Sequence, residues 1–202
     1  MASVTDEDDL SASSVSLAAF DNSGFSRGRS GFEEALWLLI QWLFVSSWIP
    51  GSAHRRWLLR LFGAHIGKGV RIKPRVRVKF PWRLSIGDDT WLGEGVWIDN
   101  LAEIKIGANC CISQDSYLCT GSHDWTKPAF NLVTKPVTIE DESWVCSRAA
   151  VAPGVKIGRG AVLTIGSLAT SDLKPWTVYQ GVPARRLRSR AKPAAEPEQR
   201  NQ

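Results

Sequence analysis

From Ile66 to Ser167 an apolar residue returns at every sixth position. Ile66, Ile72 and Val78 open the pattern, and Ile86, Leu92, Ile98 and Ile104 follow. Ile106, Ile112 and Leu118 form a third series, and Ile139, Val145, Val151, Ile157 and Leu163 a fourth. Four places after most of them stands a small or β-branched residue, such as Val70, Thr90, Ser116 or Ala149, and Gly or Asp often sits beside the large one. A helix needs a period near 3.6 and a half-buried strand a period of 2, so six suits very short strands separated by corners. Repetition at a fixed short period marks a solenoid. The pattern predicts a three-sided coil, one hexapeptide per side, whose aliphatic side chains stack along the axis. Gly, Asn and Asp are expected at the tight corners.

Outside the repeats the pattern changes. Residues 1–29 are rich in Ser, Asp, Ala and Gly and read as a disordered tail. Ser30-Gly31-Phe32-Glu33 is a capping box ahead of an apolar run from Leu36 to Ile49, so a helix is expected there. A second, amphipathic helix is expected around Trp57, completing a helical region over 30–64. The run is shorter than the roughly 20 apolar residues of a spanning helix. Two compatible roles follow: capping the open first coil, or peripheral contact with a membrane through Trp and Arg. Within the solenoid, 65–172, the rhythm breaks over 119–136, a loop too long for a corner. The extension 173–191 is expected to leave the coil and end in a short basic helix, before a disordered tail, 192–202.

Composition adds less. The excess of 25 Lys and Arg over 20 Asp and Glu does not call for nucleic acid. The 4 cysteines lack metal-ligand spacing and read as reduced structural residues. No secretory leader pattern opens the chain, which points to the cytoplasm, with the inner face of the membrane as a further possibility. Of 3 histidines, His123 stands at the root of the ejected loop, where a rigid coil would fix it for general-base work.

These repeats, with Gly121-Ser122-His123-Asp124-Trp125, Trp144 and the ending from Trp176 to Arg188, resemble the hexapeptide-repeat O-acetyltransferases. The similarity is greatest to the exopolysaccharide (colanic-acid-biosynthesis) branch near the galactoside and maltose enzymes. The resemblance implies a left-handed parallel β-helix, acetyl-CoA as co-substrate, no metal, a homotrimer, and direct acetyl transfer to a sugar hydroxyl with His123 as base. It implies CoA contacts at Trp144, Ser147, Thr170, Arg185 and Arg188, and acceptor contacts at Asn100 and Asp99, which read equally well as corner residues. A non-catalytic scaffold and an amino-sugar N-acetyltransferase are the alternatives. A zinc hydratase is disfavoured, because His54 and His65 precede the repeats and leave only His123 within them.

Overall fold

The computed structural model describes residues 15–192, and the expected tail segments 1–14 and 193–202 lie outside it. The described residues form two compact units: 15–26 together with 122–133, and 27–121 together with 134–192.

The larger unit is a parallel solenoid with three sides. The first side stacks His65–Ile66, Leu84–Ile86, Ile104–Ile106, Val137–Ile139 and Lys156–Ile157. The second stacks Arg71–Ile72, Trp91–Leu92, Cys111–Ile112, Trp144–Val145 and Val162–Leu163, and the third Arg77–Val78, Trp97–Asp99, Tyr117–Cys119, Ala150–Val151 and Leu168–Ala169. In-register pairing sets each large aliphatic on its equivalent in the next coil, as in Ile66 on Ile86 and Ile72 on Leu92. These columns are buried throughout. Their stacking is the main source of stability, since apolar burial is worth about 25 cal/mol per Å².

The three corners are not alike. Two run through left-handed backbone at stacked positions: Gly69, Asp89 and Asn109 at one, Arg75, Gly95 and Asp115 at the other. The Gly that follows the first-side Ile has a different reason. A Cβ on Gly87 would lie 2.6 Å from Ala108 N, so the neighbouring coil excludes any side chain there. The third corner is longer than a hexapeptide allows. It holds two extra residues in each of the first two coils, which therefore advance by 20 residues from Ile66 to Ile86 to Ile106. Pro81–Arg83 forms a single 3-10 turn at the first of these corners. Ile104 belongs with Ile106 on the first side, both buried, and Leu84 with Ile86 and Val137 with Ile139 are placed likewise.

Two helices close the open end. Helix α1, Gly31–Ile40, begins with the capping box: Ser30 accepts from Glu33 N, and the Glu33 carboxylate accepts from Ser30 N. It continues in wider turns over Gln41–Val45, and α2 spans Ala53–Leu61. Their side chains serve the unpaired edge of the first coil. Trp37 Nε1 donates to Val78 O at 2.8 Å, and Gln41 Oε1 accepts from Val78 N at 2.5 Å. Ser52 Oγ both donates to Ile72 O and accepts from Ile72 N. Arg56 donates to Val70 O, and Arg60 to Ile66 O and Gly67 O.

The other end departs from expectation. Leu173 bridges Ile157, and Thr177–Gln180 pairs with Val162–Leu163, so this segment stays on the coil and starts a partial sixth turn. The expected C-terminal helix is instead the strand Arg185–Ser189, antiparallel to Thr177–Gln180. The free edge of Thr177–Gln180 offers a ladder, and that tertiary pairing outweighs the high helix propensity of Arg-Arg-Leu-Arg.

Trp37 is wholly buried and supplies an edge hydrogen bond. Urea unfolding of Trp37→Ala is expected to show a loss of about 3–5 kcal/mol. Trp37→Phe, which strands the Val78 carbonyl, should lose about 1–3 kcal/mol, and exposed Trp42→Ala should stay within about 0.5 kcal/mol of the parent.

Candidate active site

In the third coil the third corner opens into a hairpin, with Gly121–His123 paired to Leu132–Thr134. Asp124 N donates to Asn131 O at 2.9 Å. The Asp124 carboxylate accepts from the Thr126 hydroxyl and backbone N–H, and Lys127 lies 3.5 Å away. Those bonds, the Thr126 hydroxyl first, hold Asp124 below the usual carboxylate range. The polar turn therefore keeps a fixed charge next to the histidine in sequence.

His123 is held by its own loop. Its Nδ1 lies 2.8 Å from Phe130 O, and its ring stacks on Phe130 with centroids 4.4 Å apart and planes 5° from parallel. Phe130 reaches this double contact with a left-handed φ of +48°, an uncommon conformation for a residue with a side chain. A carbonyl oxygen only accepts, so Nδ1 carries the proton and, in the neutral ring, the lone pair falls on Nε2. Phe20 packs against the ring at 5.7 Å, and Ser16 N donates to Pro128 O at 2.9 Å. Segment 15–29 of the expected tail is therefore ordered, with Leu17–Ala19 forming a 3-10 turn. The physical cause is an apolar anchor: Phe20 finds the His123 ring.

The expected CoA residues lie on the solenoid. Trp144 is half exposed on the second side, and its Nε1 donates to Ser113 Oγ at 2.8 Å. Val162 and Val178 continue the same outward column, and Val178 pairs with Arg188 on the last strand. Three strand spacings set Arg188 about 14 Å from Trp144. Ser147 occupies the following corner, with Oγ 3.0 Å from Gln114 Oε1. Arg185 is exposed opposite Gln180. Thr170 is exposed beyond Leu168–Ala169 on the third side, so one chain gathers Trp144, Ser147 and Arg188 but leaves Thr170 on another side. Sequence reasoning missed Ser113 and Gln114, which orient Trp144 and Ser147. Their signal was the Ser after Ile112, where the preceding coil has Gly93.

The two acceptor candidates separate. Asn100 is wholly buried, and its amide accepts from Phe80 N at 2.9 Å and donates to Phe80 O at 2.6 Å. The acceptor role expected for Asn100 is thereby corrected: its amide is a staple between two third corners, with both ends engaged. Asp99 takes a hydrogen bond from Tyr117 Oη on Oδ2 at 2.9 Å, while its Oδ1 is buried with no protein partner. Burial pushes the Tyr117 phenol up, so it remains a donor. Tyr117 packs at 4.8 Å against Trp97 with the ring planes tilted by 37°, and Trp97 lies under the Arg77 guanidinium. All four cysteines are free thiols. Burial pushes Cys110 and Cys146 up to about 11, which makes neither a ready nucleophile.

A capped three-sided parallel solenoid with a histidine on an ejected hairpin defines the class of the hexapeptide acyltransferases. No family model matches the chain. The colanic acid biosynthesis acetyltransferase WcaF of Escherichia coli is 42% identical over 177 residues, covering 84% of this chain and 97% of that protein. The chain belongs to the hexapeptide-repeat acetyltransferases, in the branch that includes WcaF. Galactoside O-acetyltransferase of Escherichia coli is 28% identical over 66% of this chain and 68% of its own length. A hexapeptide-repeat acetyltransferase of Vibrio cholerae, solved in complex with acetyl coenzyme A, superposes with a TM-score of 0.73 at 27% identity, covering 82% of this chain and 92% of its own. The solenoid thus has the left-handed β-helix fold of that family.

With its thiol raised to about 11, Cys146 is almost wholly protonated at pH 8. Its alkylation in the native protein is expected to run roughly 10² slower than that of an ordinary thiol of pKa about 8.5. The rate should climb as pH approaches the raised value. Mass mapping of iodoacetamide adducts across pH 7 to 10 reads this out.

Proposed function

We propose that this chain transfers the acetyl group of acetyl-CoA to a hydroxyl of a sugar, in an exopolysaccharide or its lipid-linked precursor, with His123 as general base. The observation that carries the reading is the Nδ1 bond to the Phe130 carbonyl, which leaves the lone pair on Nε2. In the proposed step Nε2 takes the hydroxyl proton as the sugar oxygen attacks the thioester carbon. Backbone N–H groups near the loop stabilise the oxyanion. The tetrahedral intermediate collapses, the C–S bond breaks, and the imidazolium returns its proton to the departing thiolate. No acyl-enzyme forms. The high thiol values of Cys110 and Cys146 support that direct route.

In this reading the Trp144 column guides the CoA arm, Ser147 and Thr170 contact it, and Arg185 and Arg188 pair with its phosphates. Asp99, with one unpaired carboxylate oxygen, is the acceptor contact retained. The separation of Thr170 from Trp144 favours a homotrimer, in which one CoA touches different sides of two copies. The enzyme works in the cytoplasm, at the inner face of the membrane where a lipid-linked acceptor lies. The exposed tryptophans of the helical cap support this placement.

His123→Ala is expected to keep its fold and its acetyl-CoA affinity while turnover falls by about 10² to 10⁴. Thiol release monitored with a sugar acceptor tests this, and near-native turnover would remove His123 from the mechanism. Replacing Arg185 and Arg188 by Ser should raise KM for acetyl-CoA by about tenfold or more with the melting temperature unchanged. An unmoved KM sinks their assignment.

A further inference from the structure

The helical cap has a second face. Turned away from the solenoid, Trp42 is 72% exposed, Trp48 68%, Trp57 61% and Leu61 63%, with Leu38, Leu39 and Ile49 exposed beside them. Monomeric soluble proteins rarely leave so many large apolar groups together without a partner. Between α1 and α2 a cleft of about 620 Å³ opens, lined by Leu36, Ile40, Phe44, Leu61 and other apolar residues, with His54 its one polar member.

Two further observations say what covers this face. The first is charge. Between Glu34 and Asp88 the sequence has no Asp or Glu but ten Lys and Arg, three on α2 and seven from Lys68 to Arg83 on the first coil. Lys68, Arg71, Lys73 and Lys79 are exposed. The first coil, next to the cap, thus carries a belt of exposed cations and no anion of its own, the arrangement that suits headgroups of negative charge. A second copy of this chain would bring the same positive belt to meet it.

The second is the backbone between the helices. Arg55 is wholly buried, and its guanidinium donates to the carbonyls of Val45 (2.8 Å), Ser47 (2.6 Å), Ile49 (2.9 Å) and Gly51. Four carbonyls of an irregular loop are therefore satisfied from within. In a hydrocarbon setting each would otherwise be costly, because no water is there to take its place. The loop can lower Trp48 and Ile49 into an apolar phase with these four carbonyls already paired. No helix among the described residues is long and apolar enough to cross a membrane.

We infer that the cap face of α1, Trp48 and α2 docks on a bilayer rich in anionic phospholipid, its tryptophans and leucines entering the interface and the belt from Lys68 to Lys79 meeting the headgroups. The inference rests on the membrane placement proposed above and is independent of the acetyl-transfer chemistry. Its test uses the full chain, sedimented with vesicles of phosphatidylcholine alone or mixed with phosphatidylglycerol. Binding is expected to the mixed vesicles, to fall at least about tenfold on raising salt from roughly 0.1 to 0.5 M, and to fall as far in the triple variant Trp42→Ser, Trp48→Ser, Trp57→Ser. Lys68→Gln with Lys73→Gln and Lys79→Gln should remove the preference for phosphatidylglycerol while leaving circular dichroism unchanged. Equal sedimentation of parent and tryptophan variant, or none with mixed vesicles, overturns the docking surface. So does self-association that the tryptophan variant abolishes and vesicles do not compete away. Acetyl transfer to a soluble sugar is measured on the same preparations. Transfer without vesicle binding rejects the docking and keeps the enzyme, and binding without transfer does the reverse.

Discussion

A parallel coil pairs every rung with the one above and the one below, which leaves its first rung with a ring of unpaired N–H and C=O groups. In this chain that ring is met side by side: Arg60 at Ile66 and Gly67, Arg56 at Val70, Ser52 at Ile72, Trp37 and Gln41 at Val78. Everything downstream depends on it. The stacked aliphatic columns can begin at Ile66 only because side chains from two helices supply the partners that an earlier coil would have given. The helices in turn have little reason to hold their positions without that edge, since α1 is apolar nearly all round and short helices are marginal alone.

Much of the solenoid was legible because its information is local and repeated. A β-branched or leucine side chain at each sixth place has one good solution, a stacked column, and the capping box at Ser30 marks the start of α1 directly. What the repeat hid was its own irregularity. Phe80, Asn100 and Thr120 are inward residues of the longer third corner, and nothing in a six-residue template calls for them. The family resemblance marks Asn100 as an acceptor contact, and its burial fits its other reading, a corner residue. Its two bonds to the Phe80 backbone are long-range facts that no spacing carries. The C-terminal strand escaped for a similar reason, as its partner edge exists only once the coils are wound.

The histidine was legible by position and its chemistry was not. That His123 sits at the base of an extrusion follows from the sequence, yet which nitrogen holds the lone pair is decided by Phe130, seven residues away across a hairpin turn. Phe20 is more remote still. An aromatic outside the repeats has no periodic pattern to announce it, and only the ring contact reveals its use.

The unequal corners have a consequence for how such a chain can change. Two corners thread left-handed residues stacked coil on coil, so an inserted residue there would push every later rung out of line. The third carries two surplus residues twice, then a whole hairpin, then none, and the columns beside it continue in register across all three cases. Variation is thus channelled to one vertical seam of the molecule. Lineages could exchange hairpins along it, or designers graft new ones, and so alter what is recognised while the scaffold is inherited intact.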